Sequence, residues 1–171
     1  MGMNEKNLIF HVFPTEMGWV GIAGREDWIG MLVLPKPSRD AAIEALGEGN
    51  HGPLVESEVD FSGCAEEIAA YFAGERVQFD CELDLGDAGE FDRRVWSAAR
   101  EIGFGETRSY GWLAVRIGKP HAPRAVGQAL GRNPIPVIVP CHRIVRANGD
   151  LGGFGAGLDW KIRLLELEHA R

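Results

Sequence analysis

Three short stretches near the start of the chain, residues 8–13, 19–23 and 29–34, are rich in apolar residues that partly alternate with polar or small ones. Pro14-Thr15-Glu16 and Gly24-Arg25-Glu26 separate them, so the pattern predicts three strands in an antiparallel meander. Residues 39–46 then predict a short helix. Ser38 is placed to cap it, because a serine oxygen accepts from an N–H that the first turn leaves unpaired. The Gly/Asn/His/Pro stretch at 47–53 reads as a surface loop. Ser62 precedes a second helical stretch, 64–73, where Ile68, Ala69 and Phe72 recur at helical spacing and Gly74 stops the run. Strands followed by helices give an α+β domain, and residues 84–89 resemble a linker.

From Glu90 the period becomes helical. Phe91, Val95, Ala98, Ala99 and Ile102 mark one apolar face of a helix that ends at Gly103. After a turn at 105–110, residues 111–117 and 124–130 predict two short helices, separated by Gly118 and a segment with two prolines. This matches a helix-turn-helix, and Ala125, Gly127 and Ala129 give the second helix a small-residue face. Residues 135–139 form an apolar, β-type run, residues 151–157 a glycine-rich loop, and residues 159–169 a final amphipathic helix. The fold class is therefore α+β: residues 1–85 with a three-stranded antiparallel sheet and helices, and residues 86–171 mostly α.

Composition changes little. Of 171 residues, 45% are hydrophobic and 25% charged, as in ordinary globular proteins, and a chain of this size buries about two-thirds of its unfolded surface. No long apolar run follows residues 1–6, so neither a signal peptide nor a membrane span is expected. Lys6 stands where myristoylation wants Ser or Thr. The net charge of −7 argues against nucleic acid only until it is divided along the chain. Residues 1–85 carry 16 acids and 5 bases, whereas residues 86–171 carry 9 acids and 13 bases. Between Thr107 and Gly149 there is no acid, against seven bases: Arg108, Arg116, Lys119, Arg124, Arg132, Arg143 and Arg146. Such a block is a footprint for a polyanion, or else a solvated basic face. The acidic half is not expected to face DNA.

The three cysteines, Cys64, Cys81 and Cys141, are far apart and form no CxxC pair. An odd number without framework spacing predicts reduced thiols in a cytoplasmic setting. No step requires a metal or organic cofactor; a structural ion in the N-terminal half is left open, although its cysteines and histidines show no ligand spacing. Cys64 and Cys81 read as inert thiols. Cys141 differs because His142 and Arg143 follow it, and neighbouring basic groups favour the nucleophilic thiolate. If the segment is extended, adjacent side chains point to opposite sides, and direct contact between His142 and Cys141 is not expected.

Pro140-Cys141-His142-Arg143-Ile144-Val145, preceded by Arg124-Ala125-Val126-Gly127 and Asn133-Pro134, resembles the signature of the O6-alkylguanine-DNA alkyltransferases. Gly105-Glu106-Thr107-Arg108-Ser109-Tyr110-Gly111 upstream, and Gly149-Asp150-Leu151-Gly152-Gly153-Phe154 with Lys161, Leu164, Leu165 and Glu168 downstream, fit in the same order. The resemblance implies a ribonuclease H-like N-terminal domain and a helix-turn-helix used in the minor groove. It implies that Cys141 takes the alkyl group of O6-alkylguanine irreversibly, leaving O4-alkylthymine open as a second substrate. His142 would act as a base through a water, Glu168 would orient it, and Asn133 would brace the active-site turn. Tyr110 would help rotate the nucleotide and Arg124 would fill the vacated stack, with Lys119, Ala125, Gly127 and Arg132 also at the DNA. The pocket would be lined by Tyr110, Pro136, Ile144, Phe154, Gly155 and Ala156.

Phe154 stands where the family often has tyrosine, which implies a pocket without that hydroxyl but with its aromatic wall; Ala156 stands where glycine is common, which implies a narrower pocket. The partner would be double-stranded DNA bound by a monomer, with cooperative binding left open. Three other readings stand beside this one: a non-catalytic sensor of alkylation damage, a helix-turn-helix transcription regulator, and a cysteine hydrolase. Sensors typically carry tryptophan in place of the cysteine, so Cys141 argues against the first.

Overall fold

The alternating stretches near the start form β1 (Leu8–Thr15), β2 (Gly18–Arg25) and β3 (Trp28–Lys36) of a computed structural model, which describes residues 7–50, 52–58 and 61–170. β1 pairs antiparallel with β2, and β2 with β3 through two register shifts. Phe10 and Val12 of β1 and Ala23 of β2 pack with Ala42 and Leu46 of α1 (Arg39–Glu48). Leu46 is fully buried, which contributes about 2 kcal/mol. Ser38 caps α1 as expected, accepting from the Ala41 N–H at 3.1 Å. A fourth strand, β4 (Leu54–Glu56), lies parallel to β1 and gives the order β3-β2-β1-β4. The alternation pattern predicts only three strands here, because a three-residue strand is too short to show a period. Residues 1–6, on which the expectations about a leader and myristoylation rest, lie outside the described residues.

The chain divides into two compact units, Met1–Gly86 and Asp87–Arg171. The second contains α3 (Glu90–Ala99), β5 (Arg108–Ser109), α4 (Tyr110–Arg116), α5 (Pro123–Gly131), β6 (Ile144–Val145) and α6 (Leu158–Leu167). Three tethers gather its helices. The Trp96 indole of α3 donates to Ala129 O at 2.9 Å, Arg94 donates to Ile117 O at 2.6 Å, and Arg132 grips Asp92 with two bonds of 2.7 and 2.8 Å. Gly118 closes α4 at φ +72°: its N–H bonds Val115 O while the Lys119 N–H bonds Ala114 O. This satisfies two helix-end carbonyls with a left-handed residue, a place where glycine is favoured. Pro123 then opens α5 at a position where a missing N–H costs nothing. Among the described residues no helix is long and apolar enough to cross a membrane.

The expectation of three reduced thiols is corrected in the first unit. Cys64, on α2 (Ser62–Phe72), is joined to Cys81 by a disulfide, leaving Cys141 as the free cysteine. Ile68, Tyr71 and Phe72 anchor α2 in the interior. The chain after it is bound to β3 through Ile29 N to Glu82 O and Asp84 N to Ile29 O, and this return brings Cys81 back beside the helix. The same fold sets a Glu67 carboxylate oxygen and the two sulfurs within 4.8 Å of one another, a cluster that linear spacing did not reveal. Peptide mapping under non-reducing, denaturing conditions should find Cys64 linked to Cys81 and only Cys141 alkylated. Three alkylated cysteines would contradict the pairing. Cys81→Ser should cost about 3 kcal/mol in urea unfolding, given a sequence separation of 17.

Candidate active site

Asn133 shapes the segment that carries Cys141. Its carbonyl oxygen accepts from the Ile135 N–H at 2.9 Å, and its amide donates to Val139 O at 3.0 Å and to Cys141 Sγ at 3.2 Å. The Val139 N–H in turn reaches back to Ile135 O at 2.9 Å. Residues 135–139 therefore form a buried loop and not the expected β-type run. The one side chain supplies the polar partners that a sheet ladder would otherwise provide. Val137, inside this loop, sits at φ +74°. For a β-branched residue that conformation is strained, and such strain persists only where surroundings impose it. Cys141, His142 and Arg143 then form a single 3-10 turn. The segment is thus bent, not extended, and alternation does not govern where His142 points.

His142 and Arg143 are buried and both turn toward Glu168, itself 2% exposed, at the C-terminal end of α6. His142 Nε2 lies 2.7 Å from Glu168 Oε1. Arg143 donates to both carboxylate oxygens at 2.9–3.2 Å and through Nη1 to Ile102 O at 2.6 Å. The Gly105 N–H reaches Glu168 Oε2 at 3.1 Å. Burial opposes ionisation of Glu168, but the hydrogen bonds from His142 and Arg143 outweigh it and hold the carboxyl well below its usual range. Burial lowers the His142 pKa despite the facing carboxylate, so the ring is neutral near pH 7. A carboxylate only accepts, so Nε2 carries the proton and Nδ1 keeps the basic lone pair. Burial raises the Cys141 pKa, while the Asn133 amide, Lys161 and the backbone N–H groups of Cys141 and His142 favour the thiolate. The resting sulfur is a protected thiol surrounded by groups ready to receive charge.

Cys141 opens into a cavity of about 690 Å³. Of the residues expected at the pocket or DNA, Tyr110, Arg124, Gly127, Phe154 and Gly155 line it. Pro136, Ile144 and Ala156 are not in its wall; Ile144 is fully buried and Ala156 exposed. Ala156, from which a narrower pocket is expected, thus lies beside the lining residue Gly155 and outside the wall itself. Lys119, Ala125 and Arg132 also lie outside the wall, and Arg132 is engaged by Asp92. The Tyr110 hydroxyl lies 3.5 Å from Gly153 O. Gly152, at φ +70°, lets the loop approach this ring, since a Cβ there would stand 2.5 Å from the Tyr110 oxygen.

The sequence assigns Lys161 no role, yet it is fully buried and donates to Ile144 O at 2.6 Å and Gly153 O at 3.0 Å. It ties the chain beyond Cys141 to the glycine-rich loop, and burial lowers its pKa to about 8. A signal existed: Lys161 and Glu168 are two charges, seven residues apart, on the same stripe as the buried Leu164 and Leu165.

Residues 90–170 match the family model described as 6-O-methylguanine DNA methyltransferase, DNA binding domain. A methylated-DNA–protein-cysteine methyltransferase of Mycolicibacterium paratuberculosis is 57% identical over 159 residues, covering 93% of this chain and 91% of the relative. One from Methanosarcina acetivorans is 40% identical, covering 94% and 98%. Among solved structures, Mycobacterium tuberculosis OGT in complex with DNA aligns with a TM-score of 0.78 at 42% identity, covering 94% of this chain and 92% of that one. Matches over more than nine-tenths of the chain place it in a class, the transferases that move a methyl group from DNA to a protein cysteine. The chain belongs to the methylated-DNA–protein-cysteine methyltransferase family.

The Glu168 network yields a pH prediction with a definite sign. Its folded pKa is lowered, so its contribution is present above about pH 4.3, the unfolded value, and is lost as pH falls below it. Glu168→Gln should lose about 3–5 kcal/mol at neutral pH, because it leaves Arg143 buried without its anion. Below about pH 4.3 the variant's stability should fall less steeply than the wild type's. Urea unfolding between pH 3 and 7 checks both; parallel curves would contradict the assignment.

Proposed function

We propose that this protein repairs alkylated DNA by moving the alkyl group of O6-alkylguanine in duplex DNA onto Cys141. The observation that carries this reading is the Cys141 sulfur, held by Asn133 at a cavity of about 690 Å³. The S–C bond forms as the alkyl carbon–O6 bond breaks, and the bonding pair leaves with guanine. The thiol proton passes by way of His142, and guanine regains one proton. Nothing in this step regenerates the thiol, so each molecule acts once. Glu168 fixes the His142 tautomer, and Asn133 stabilises developing charge on sulfur.

The target base must leave the stack to reach a buried sulfur, at a cost of roughly a few kcal/mol. We read α4 and α5 as a helix-turn-helix whose second helix enters the minor groove, where Ala125 and Gly127 allow close approach. Arg124 then occupies the vacated stack, offsetting part of that cost by stacking and charge. Tyr110 assists rotation of the nucleotide, while Lys119 and Arg132 are phosphate contacts, Arg132 only after releasing Asp92. We read the first unit as ribonuclease H-like and the protein as a monomer, since every proposed site residue lies in one unit of one chain; a cytoplasmic setting then rests on the DNA substrate and no longer on reduced thiols. Minor-groove contacts discriminate sequence poorly, which suits repair at any site.

Incubation with O6-methylguanine duplex should add one methyl mass to the Cys141 peptide. Repair without that modification, or no repair, would sink the proposal. Cys141→Ala should abolish transfer and keep binding to damaged duplex. Arg124→Ala should slow transfer from duplex by at least tenfold, with a smaller effect on free O6-methylguanine base. Equal losses on duplex and free base would show that Arg124 does not act on the stack.

A further inference from the structure

The acid-free block at 107–149 is not uniformly available to a polyanion. Acids from flanking segments already engage four of its seven cations: Arg108 with Glu106, Arg116 with Glu101, Arg132 with Asp92 and Arg143 with Glu168. Three remain without a hydrogen-bonded or ion-paired side chain among the described residues: Lys119, Arg124 and Arg146. Of these, Arg124 and Arg146 both line the cavity above Cys141. The role of Arg124 comes from the family resemblance, whereas Arg146 has none.

Its setting is well defined. Arg146 follows β6 directly and stands at the base of a locked turn. The Arg146 N–H bonds Asp150 O at 2.8 Å, and the Gly149 N–H returns to Arg146 O at 2.9 Å. The carboxylate of Asp150, the nearest acid in sequence, is taken by the Asn148 amide at 2.9 Å. The side chain is exposed and lines the cavity together with Tyr110, whose hydroxyl burial holds above its usual pKa while the Gly153 contact and the charge of Arg146 act the other way. An unpaired guanidinium on a fixed backbone, beside a phenolic hydroxyl, is suited to a bidentate oxyanion. The carboxylate of an anionic alkyl group would have to lie deep, against the buried sulfur. A phosphate at the cavity mouth meets Arg146 where it stands.

We infer that Arg146 is a positioning residue that binds the phosphodiester flanking the extruded nucleotide and, with Tyr110, holds that nucleotide over Cys141. The inference rests on the repair reading above. Arg146 contributes no atom to the reaction. It shortens the search for the attack geometry by fixing the nucleotide backbone at the rim, opposite the reacting carbon.

The test compares wild type, Arg146→Ala and Arg146→Lys on O6-methylguanine duplexes. The lesion phosphates are either native or replaced singly by neutral methylphosphonate. Arg146→Ala should slow methylation of Cys141 about tenfold on native duplex, and Arg146→Lys should recover part of the loss. For one of the two methylphosphonates, wild type should slow by a similar factor and Arg146→Ala should lose little more. The log–log salt slope for binding damaged duplex should become shallower by about 0.9 in Arg146→Ala. Losses that multiply for both linkages, a rate within twofold of wild type, or an unchanged salt slope would each overturn the inference. Wild-type protein that leaves Cys141 unmodified on native duplex would instead remove the repair reading, and this inference with it.

Discussion

One buried carboxylate holds the chemistry of the second unit together. Glu168 receives the turn before β5 through Gly105, the reactive turn through His142 and Arg143, and the end of the α3 segment through the Arg143 bond to Ile102 O. A buried anion is tolerable only when its lone pairs are satisfied, and here the partners that satisfy it come from distant parts of the chain. The requirement to neutralise that charge therefore also specifies where those parts sit. Cys141 stands at the edge of this hub, one residue from His142. Its position is inherited from the carboxylate and refined by the Asn133 amide.

The two anchors divide the work. Asn133 acts on the backbone entering the turn and reaches the sulfur directly; Glu168 acts on what leaves it and fixes the basic nitrogen of His142. Lys161 closes the remaining side, bonding carbonyls of both β6 and the glycine-rich loop. Most of the polar groups around the sulfur thus have structural duties. That rigidity suits a displacement in which the nucleophile and the leaving group must align on one line.

Much of this was legible in the sequence, because local rules and tertiary structure agree there. The strand alternation, the Ser38 cap, the Gly118 stop and the apolar face of α3 each follow from short-range physics. The failures share a different cause. Residues 135–139 resemble a strand because apolar β-branched runs suit strands, and nothing local says that a side chain two residues earlier will satisfy their backbone. β4 has only three residues, and its parallel pairing with β1 is non-local. The Cys64–Cys81 link depends on the return of the chain along β3, and the duty of Lys161 on carbonyls 17 and 8 residues away. Of the site, the motif residues were found through resemblance. The arginine pairing that sorts occupied from available cations is set by acids brought in from flanking segments, which the acid-free run does not contain.

The raised pKa of Cys141 and its 8% exposure bear on a quantity that turnover enzymes rarely face. A reagent spent in one event must survive, unreacted, the interval between its synthesis and its only encounter. A thiolate in water would be lost to peroxides and disulfide exchange during that wait. Keeping the sulfur protonated and covered lengthens its chemical shelf life, at the expense of intrinsic reactivity that the bound duplex must then restore. What the site conserves is readiness, and the number of lesions removed is set by how many molecules are still intact when damage arrives.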